Sequence, residues 1–374
     1  PKKCFSNETI AIKNESVTLV GKKGSAIEFK CAPAFVLSSS SSLSLDGLNL
    51  SAGSGTMISV VKGKLSVVDC RLVANGEAIS AAGRDSHLQV TSSEVAGKGA
   101  CVISIRDGAK ASLMKVKVRA PLAKHGVDIF KGSHVALSQC DISLCQRGLV
   151  VYSSGKIKWQ DSEILSCKDC GVLLRGCDDF FAKNCRISDC SAVGMEIRGG
   201  APKIEGLQVT SSEVCLKLVD QCKANIVKSS FVGGCGSVVY NSTPIFENCI
   251  FEKNSSSGMK VFKSGHPVIK SSQFIRNGLH GVEISGGCNV SILRCSFNDN
   301  KGYGCRTKGR VSIRHSKFHQ NGLTGFAARS NSMGTIAQTI SSQHDGYGFD
   351  IGGQSNYSIV DCELRNNDKA NMRV

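Results

Sequence analysis

The sequence predicts an all-β solenoid. Three observations carry this: a cysteine or serine that returns at a constant interval, a glycine nine places after it, and short alternating apolar pairs in between. Six cysteines stand at positions 70, 140, 185, 249, 295 and 362. Their separations of 70, 45, 64, 46 and 67 are close to three, two, three, two and three times a unit of about 22–23 residues. Ser93, Val116, Ser162, Leu207, Ser229, Ser272, Ser316 and Thr339 fill the units between them.

Each stretch of the unit has its own chemistry. Two places after the marker an apolar residue recurs, as in Leu72, Val95, Ile142, Ile187, Phe251, Phe274 and Phe318. Alternation around it marks a short strand. Five places after the marker comes a corner, held by Cys145, Cys167 and Cys190 in mid-chain, then by Asn254, Asn277, Asn300, Asn321 and Asn367, with His344 taking the place once. Inward asparagines at successive corners can pass amide hydrogen bonds along a stack, and cysteine can serve there as a small buried hydrophobe.

The glycine follows (Gly171, Gly194, Gly258, Gly281, Gly304, Gly325, Gly348), then a pair such as Val172/Leu174 or Phe349/Ile351 that makes a second strand. Segments such as "PVIKS", "VSILR" and "VSIRH" supply a third. Three short strands with Gly and Asn at the corners build a single-stranded right-handed parallel β-helix of about 22–23 residues per rung, with like positions stacked about 4.8 Å apart. Residues 1–25 are expected to form an N-terminal cap or partial coil, and residues 26–374 the β-helix. The last unit stops mid-rung at Val374, which leads us to expect further residues or a covering partner.

Composition narrows the class. Charged residues are 20%, aromatics 6%, and there are 40 Gly against 6 Pro, which is not a disordered composition. No apolar run is long enough for a transmembrane helix. The formal charge of +16 favours an acidic partner, although the lysines and arginines are spread along the chain. Nineteen cysteines cannot all pair within the chain, and Cys167/Cys170 is the only CxxC, so inert core thiols are expected and no metal or cofactor. Thiol usage points to an intracellular, reducing compartment (cytosol or organelle), with secretion the alternative.

The run "CSFNDNKGYGCRTKGRVSIRHSKFHQNGLTGFAARS" resembles the PbH1-type repeats of the parallel β-helix superfamily, as in pectate-lyase-like proteins, NosD-type proteins and F-box β-helix adaptors. The resemblance covers about residues 47–374 and implies the fold; the matching residues are the stacking ones. Nothing matches the F-box or zinc-finger segments of those adaptors. The run "YGFD" at 347–350 is similar to a motif of the alginate epimerases, in which Pro-His follows; here Ile351 and Gly352 follow, so the histidine that would act as acid or base is missing.

No residue is therefore expected to be catalytic. Asp128, Glu196, Glu283 and Asp350 share a column but lie three or more rungs apart; Asp178 and Asp179, with Asp350, are the acidic candidates. One outward column carries Arg106, Arg175, Arg198, Lys308 and Arg329, a basic stripe suited to an anionic polymer or an acidic protein face. Nucleic acid is not expected, since aromatics do not interleave with these charges and Trp159 is the sole tryptophan. The function expected first is a non-catalytic scaffold or adaptor, one subunit of an assembly with other proteins. The second is a carbohydrate-active β-helix protein (lyase, epimerase or binding module) acting on an acidic polysaccharide.

Overall fold

The computed structural model describes residues 3–22, 25–152 and 155–374, with side chains from residue 6 onward. Strands are its only regular elements among those residues. The chain divides into two compact units, Pro1–Ser191 and Ala192–Val374. Both are parallel β-helical, and each coil contributes one short strand to each of three sheets, here A, B and C.

In the first unit, Arg71–Ala74 of sheet A pairs with Asn49–Ala52 and Glu94–Ala96. Ile79–Ala82 of sheet B pairs with Ile58–Val60 and Cys101–Arg106. Ser86–Thr91 of sheet C pairs with Gly63–Val68 and Lys110–Met114. The segment expected to cap the solenoid supplies a coil: Lys3–Ser6, Ile10–Lys13 and Ser16–Val20 pair in register with the three strands that follow. Residues 1, 2, 23 and 24 of that segment lie outside the described residues.

The structure explains why cysteine and serine exchange at the marker. Ser93 Oγ donates to the carbonyl of Thr91 at 2.7 Å and accepts the backbone N–H of Cys70 at 3.1 Å. Cys70 Sγ donates to the carbonyl of Val68 at 3.1 Å. A small side chain ending in a donor is what the corner needs, because it satisfies backbone groups buried between coils. The residue before each marker is left-handed, for example Asp69 (φ 48°), Gln139 (φ 54°) and Asp161 (φ 47°). That conformation costs about 1–2 kcal/mol for a non-glycine residue, and the ladder bonds it enables offset the cost.

The other corner differs between units. In the first, Cys145 and Cys167 stack with their sulfurs 3.8 Å apart, both fully buried. The hydrogen bonds of Cys145 and Cys190 to Cys167, reinforced by burial, push its thiol well above the ordinary range. In the second unit, Asn254, Asn277 and Asn300 each donate an amide N–H to the next asparagine's Oδ1, at 2.9, 2.8 and 2.9 Å. Beside them runs a ring stack, Phe251–Phe274–Phe297–Phe318, with centroids 4.7, 5.0 and 4.6 Å apart. Each buried ring contributes about 1.5–3 kcal/mol.

His344 ends this amide ladder. Its Nδ1 accepts the Asn321 backbone N–H at 3.0 Å, and its Nε2 donates to Ser341 Oγ at 2.9 Å, which fixes a neutral imidazole. Burial, aided by the electrostatic influence of nearby His319, pushes its pKa down to about 4. A depressed histidine binds its proton more readily in the unfolded chain, so its contribution is present above the ordinary pKa near 6.5 and lost as pH falls toward 4. Up to about 3 kcal/mol is at stake, from the size of the shift. Replacing His344 with Asn, the residue the column otherwise uses, should flatten the loss of stability between pH 7 and 4 in denaturant titrations. Equal acid sensitivity in both proteins would contradict this.

Candidate functional site

The outer face of sheet B in the first unit concentrates the chemistry. A glycine near the start of the strand makes it possible: a Cβ on Gly126 would lie 2.6 Å from Ile142 and 2.7 Å from the Gly148 carbonyl. Only glycine fits, and the pairing register is interrupted there, between Cys101↔His125 and Ile103↔Val127. The residue before the glycine and the residue two after it then both face outward.

Three outward columns result. One runs Glu77, Cys101, His125, Arg147 and Cys170; the central one Ser80, Ser104, Asp128, Val150 and Leu173; the third Arg106, Phe130, Tyr152 and Arg175. His125 Nδ1 lies 2.8 and 2.9 Å from the two carboxylate oxygens of Asp128, whose side chain is only 7% exposed. Next to a carboxylate that nitrogen carries the proton, leaving the lone pair on Nε2.

Glu77 accepts from Thr56 at 2.8 Å and from the Cys101 thiol at 3.3 Å, and lies 3.6 Å from Arg106. Burial, reinforced by Glu77 and Asp128, pushes the Cys101 thiol far up. It is a hydrogen-bond donor to Glu77 and no nucleophile. In the third column Arg106 lies over the Phe130 ring at 5.5 Å, Phe130 stacks on Tyr152 at 5.2 Å, and Arg175 lies over Tyr152 at 5.6 Å. Arg106 donates an N–H to Ser104 Oγ at 2.8 Å and faces Glu77, whereas the Arg175 guanidinium keeps its N–H edge free for a carboxylate.

The residues singled out from the sequence meet different fates. Arg106 and Arg175 do share a column, but the rungs between them carry Phe130 and Tyr152, so aromatics do interleave with the charges, contrary to the expectation. Lys308 and Arg329 stand on neighbouring coils of the second unit. Arg106, Arg198 and Arg329, however, are engaged: Arg106 faces Glu77 at 3.6 Å, Arg198 pairs with Glu196 at 2.7 Å, and Arg329 pairs with Asp350. Asp178 and Asp179 are exposed on the turn that leaves sheet B.

Asp350, in the "YGFD" run, is structural. Burial acts to raise its pKa, but Arg373 and Arg329 outweigh burial and hold the carboxyl below the usual range. Arg373 grips it with two bonds of 2.7 Å. The same holds along the central column of the second unit, where Glu196 also meets Lys217 at 3.4 Å and Glu283 meets Arg306 at 3.7 Å. His280 lies beside the latter pair; burial lowers its pKa, and its Nδ1 accepts the Tyr303 backbone N–H at 3.1 Å. Acids that the repeat places outward are thus neutralised by cations on the same strand or on the coils to either side.

Glu77, His125, Phe130 and Tyr152 were not singled out in the sequence. Aligning the residue before each glycine of the repeat would have exposed the column of His125, Arg147 and Cys170.

Parallel coils of constant register carrying a polar outer face define a β-helix protein. The chain belongs to the right-handed β-helix family, whose "Right handed beta helix region" matches residues 77–232 and 230–308. No curated protein matches it. Among solved structures, a mutant of the periplasmic alginate epimerase AlgG is similar at 11% identity, over 84% of this chain and 77% of its own, with a TM-score of 0.47. The A-module of the Azotobacter vinelandii mannuronan C-5 epimerase AlgE6 is 10% identical over 89% of this chain and 90% of its own, with a TM-score of 0.42. The PL6 family alginate lyase AlyGC is 9% identical over 96% and 85%, with a TM-score of 0.32. These likenesses concern coil architecture and say nothing of this chain's chemistry.

Removing the charge of Asp350 should therefore cost folding and not merely activity. Asp350→Asn leaves two partly exposed guanidiniums facing an amide, and we expect a loss of about 1–3 kcal/mol, the scale for weakening charge-assisted hydrogen bonds to a buried group. Unchanged stability in urea titration would contradict the assignment.

Proposed function

We propose that the protein is carbohydrate-active and holds an acidic polysaccharide across sheet B of its first unit. What carries this reading is the His125–Asp128 pair set beside the Arg106–Phe130–Tyr152–Arg175 column. An imidazole oriented by a carboxylate is a general base: Asp128 holds the Nδ1 proton, and Nε2 carries the lone pair. The arginine edges suit the carboxylates of a uronate chain, and the ring edges between them offer an apolar rail to the sugar C–H groups.

The chemistry these groups support is removal of the proton on the carbon next to a carboxylate. His125 Nε2 takes the proton, and Arg106 or Arg175 neutralises the carboxylate, which stabilises the charge that spreads onto it. Return of a proton from solvent to the opposite face would epimerise the sugar; alternatively the electron pair forms a C=C bond as the neighbouring glycosidic C–O bond breaks, the departing oxygen takes a proton from solvent, and the chain is cleaved. Neutral-sugar hydrolysis by a carboxylate pair is not the better fit, because Glu77 is bound to Thr56, Cys101 and Arg106 and Asp128 to His125.

The compartment is part of the same proposal. The described cysteines are all free thiols, most of them buried, which suits a reducing interior; buried thiols also survive in a secreted protein because oxidants do not reach them.

Two readouts test the proposal with polyuronate oligosaccharides: ultraviolet absorbance of an unsaturated product, and deuterium uptake from solvent at the carbon next to the carboxylate. We expect turnover by the native protein and a fall of at least about 100-fold in His125→Ala, the scale of losing a general base. No turnover by either protein sinks the catalytic reading. A stoichiometric protein partner recovered on gentle purification, with no affinity for acidic sugars, would favour the scaffold instead.

A further inference from the structure

Sheet C of the first unit carries a second ordered surface. Its outer face bears a column of basic side chains, one per coil. Lys64, His87, Lys110 and His134 stand opposite one another in register. Lys156 follows, its backbone N–H donating to His134 Nδ1 at 3.1 Å. Among the described residues none of these five makes an ion pair. Neighbours in such a column are about 4.8 Å apart, and like charges directly opposite destabilise a sheet. Alternation with histidine spaces the permanent charges by two coils, yet the column stays uncompensated. This contrasts with the second unit, where outward charges on sheet B meet opposite ones.

Beside this column runs another of hydroxyl and amide groups: Thr18, Ser44, Ser66, Gln89 and Ser112. The middle of the two columns, from Lys64 to His134 and from Ser44 to Ser112, lines a shallow concavity of about 620 Å³, with Thr18 and Lys156 outside it. The three lysines are exposed, as is His134.

We propose that this face is a track for a linear acidic polysaccharide, with its carboxylates along the basic column and its ring hydroxyls along the serine and glutamine column. The class of polymer rests on the function proposed above; the track itself does not. A line of five basic groups does not converge on one point, so it suits a chain better than a compact anion. An extended acidic peptide repeats its same-side carboxylates every 6.6–6.8 Å or so, out of step with coils about 4.8 Å apart. Nucleic acid is disfavoured because neither column holds a Phe, Tyr or Trp ring on which a base could stack. A chain of pyranoses linked through opposite ring positions advances by nearly one coil per sugar, and it offers one carboxylate and free hydroxyls at each step.

Fluorescence anisotropy with labelled polyuronate, long and short, tests the track on the full chain. The variant combines Lys64→Gln, Lys110→Gln and Lys156→Gln, with thermal melting as the check that it folds. We expect native affinity to rise with polymer length. The variant should lose at least about tenfold affinity for the long polymer, and its salt slope should shrink by about 2–3 as three ion contacts disappear. Lys110→Gln alone should show a smaller loss in the same direction. Unchanged affinity and salt slope would overturn the track, and so would tighter binding of single-stranded DNA or of a polyglutamate peptide. Turnover is read separately: its absence with polymer binding intact would sink only the catalytic reading of sheet B.

Discussion

Everything in this protein depends on coils that stay in register. Parallel strands pair residue for residue over successive turns, so a position in the repeat becomes a column in space. Whatever chemistry a column holds is then presented at a fixed pitch of about 4.8 Å. A charge placed outward once must face its counterpart one coil away. Columns are therefore either mutually neutralising, apolar, or left open to a ligand.

The two units use these options differently. In the second, the inner corner is an amide ladder beside stacked phenylalanines, and the outward acids of sheet B are gripped by arginines and lysines of adjacent coils. That face is closed on itself. In the first, thiols fill the corner, and the outer face of sheet B keeps a histidine with a free ring nitrogen and, on Arg175, a guanidinium edge that ring stacking leaves unused. The difference lies in side chains alone, since both units run the same strand order within each coil.

Much of this was legible in the sequence, because the repeat is a backbone property written in small residues. The marker interval gave the coil length, the corner asparagines gave the amide ladder, and Gly171 or Gly281 marked the strand start. The site was less legible for a physical reason. The glycine interrupts the pleat, so period-two counting from Val127 puts His125 on the wrong face. Aromatics were invisible in the stripe because Arg106 and Arg175 were compared without the two residues, Phe130 and Tyr152, that stand between them. Asp350 could be rejected as catalytic from Ile351 and Gly352, but its arginine partners come from the coils on either side and are evident only once the register is known.

The most direct measurement of the central claim is a crystal structure of the full chain with an acidic oligosaccharide bound. The account predicts a uronate lying along the Phe130–Tyr152 rail, a carboxylate on Arg106 or Arg175, and His125 Nε2 within reach of the carbon next to that carboxylate. An oligosaccharide bound only away from sheet B of the first unit, or a face there that stays empty at saturating concentration, would contradict it.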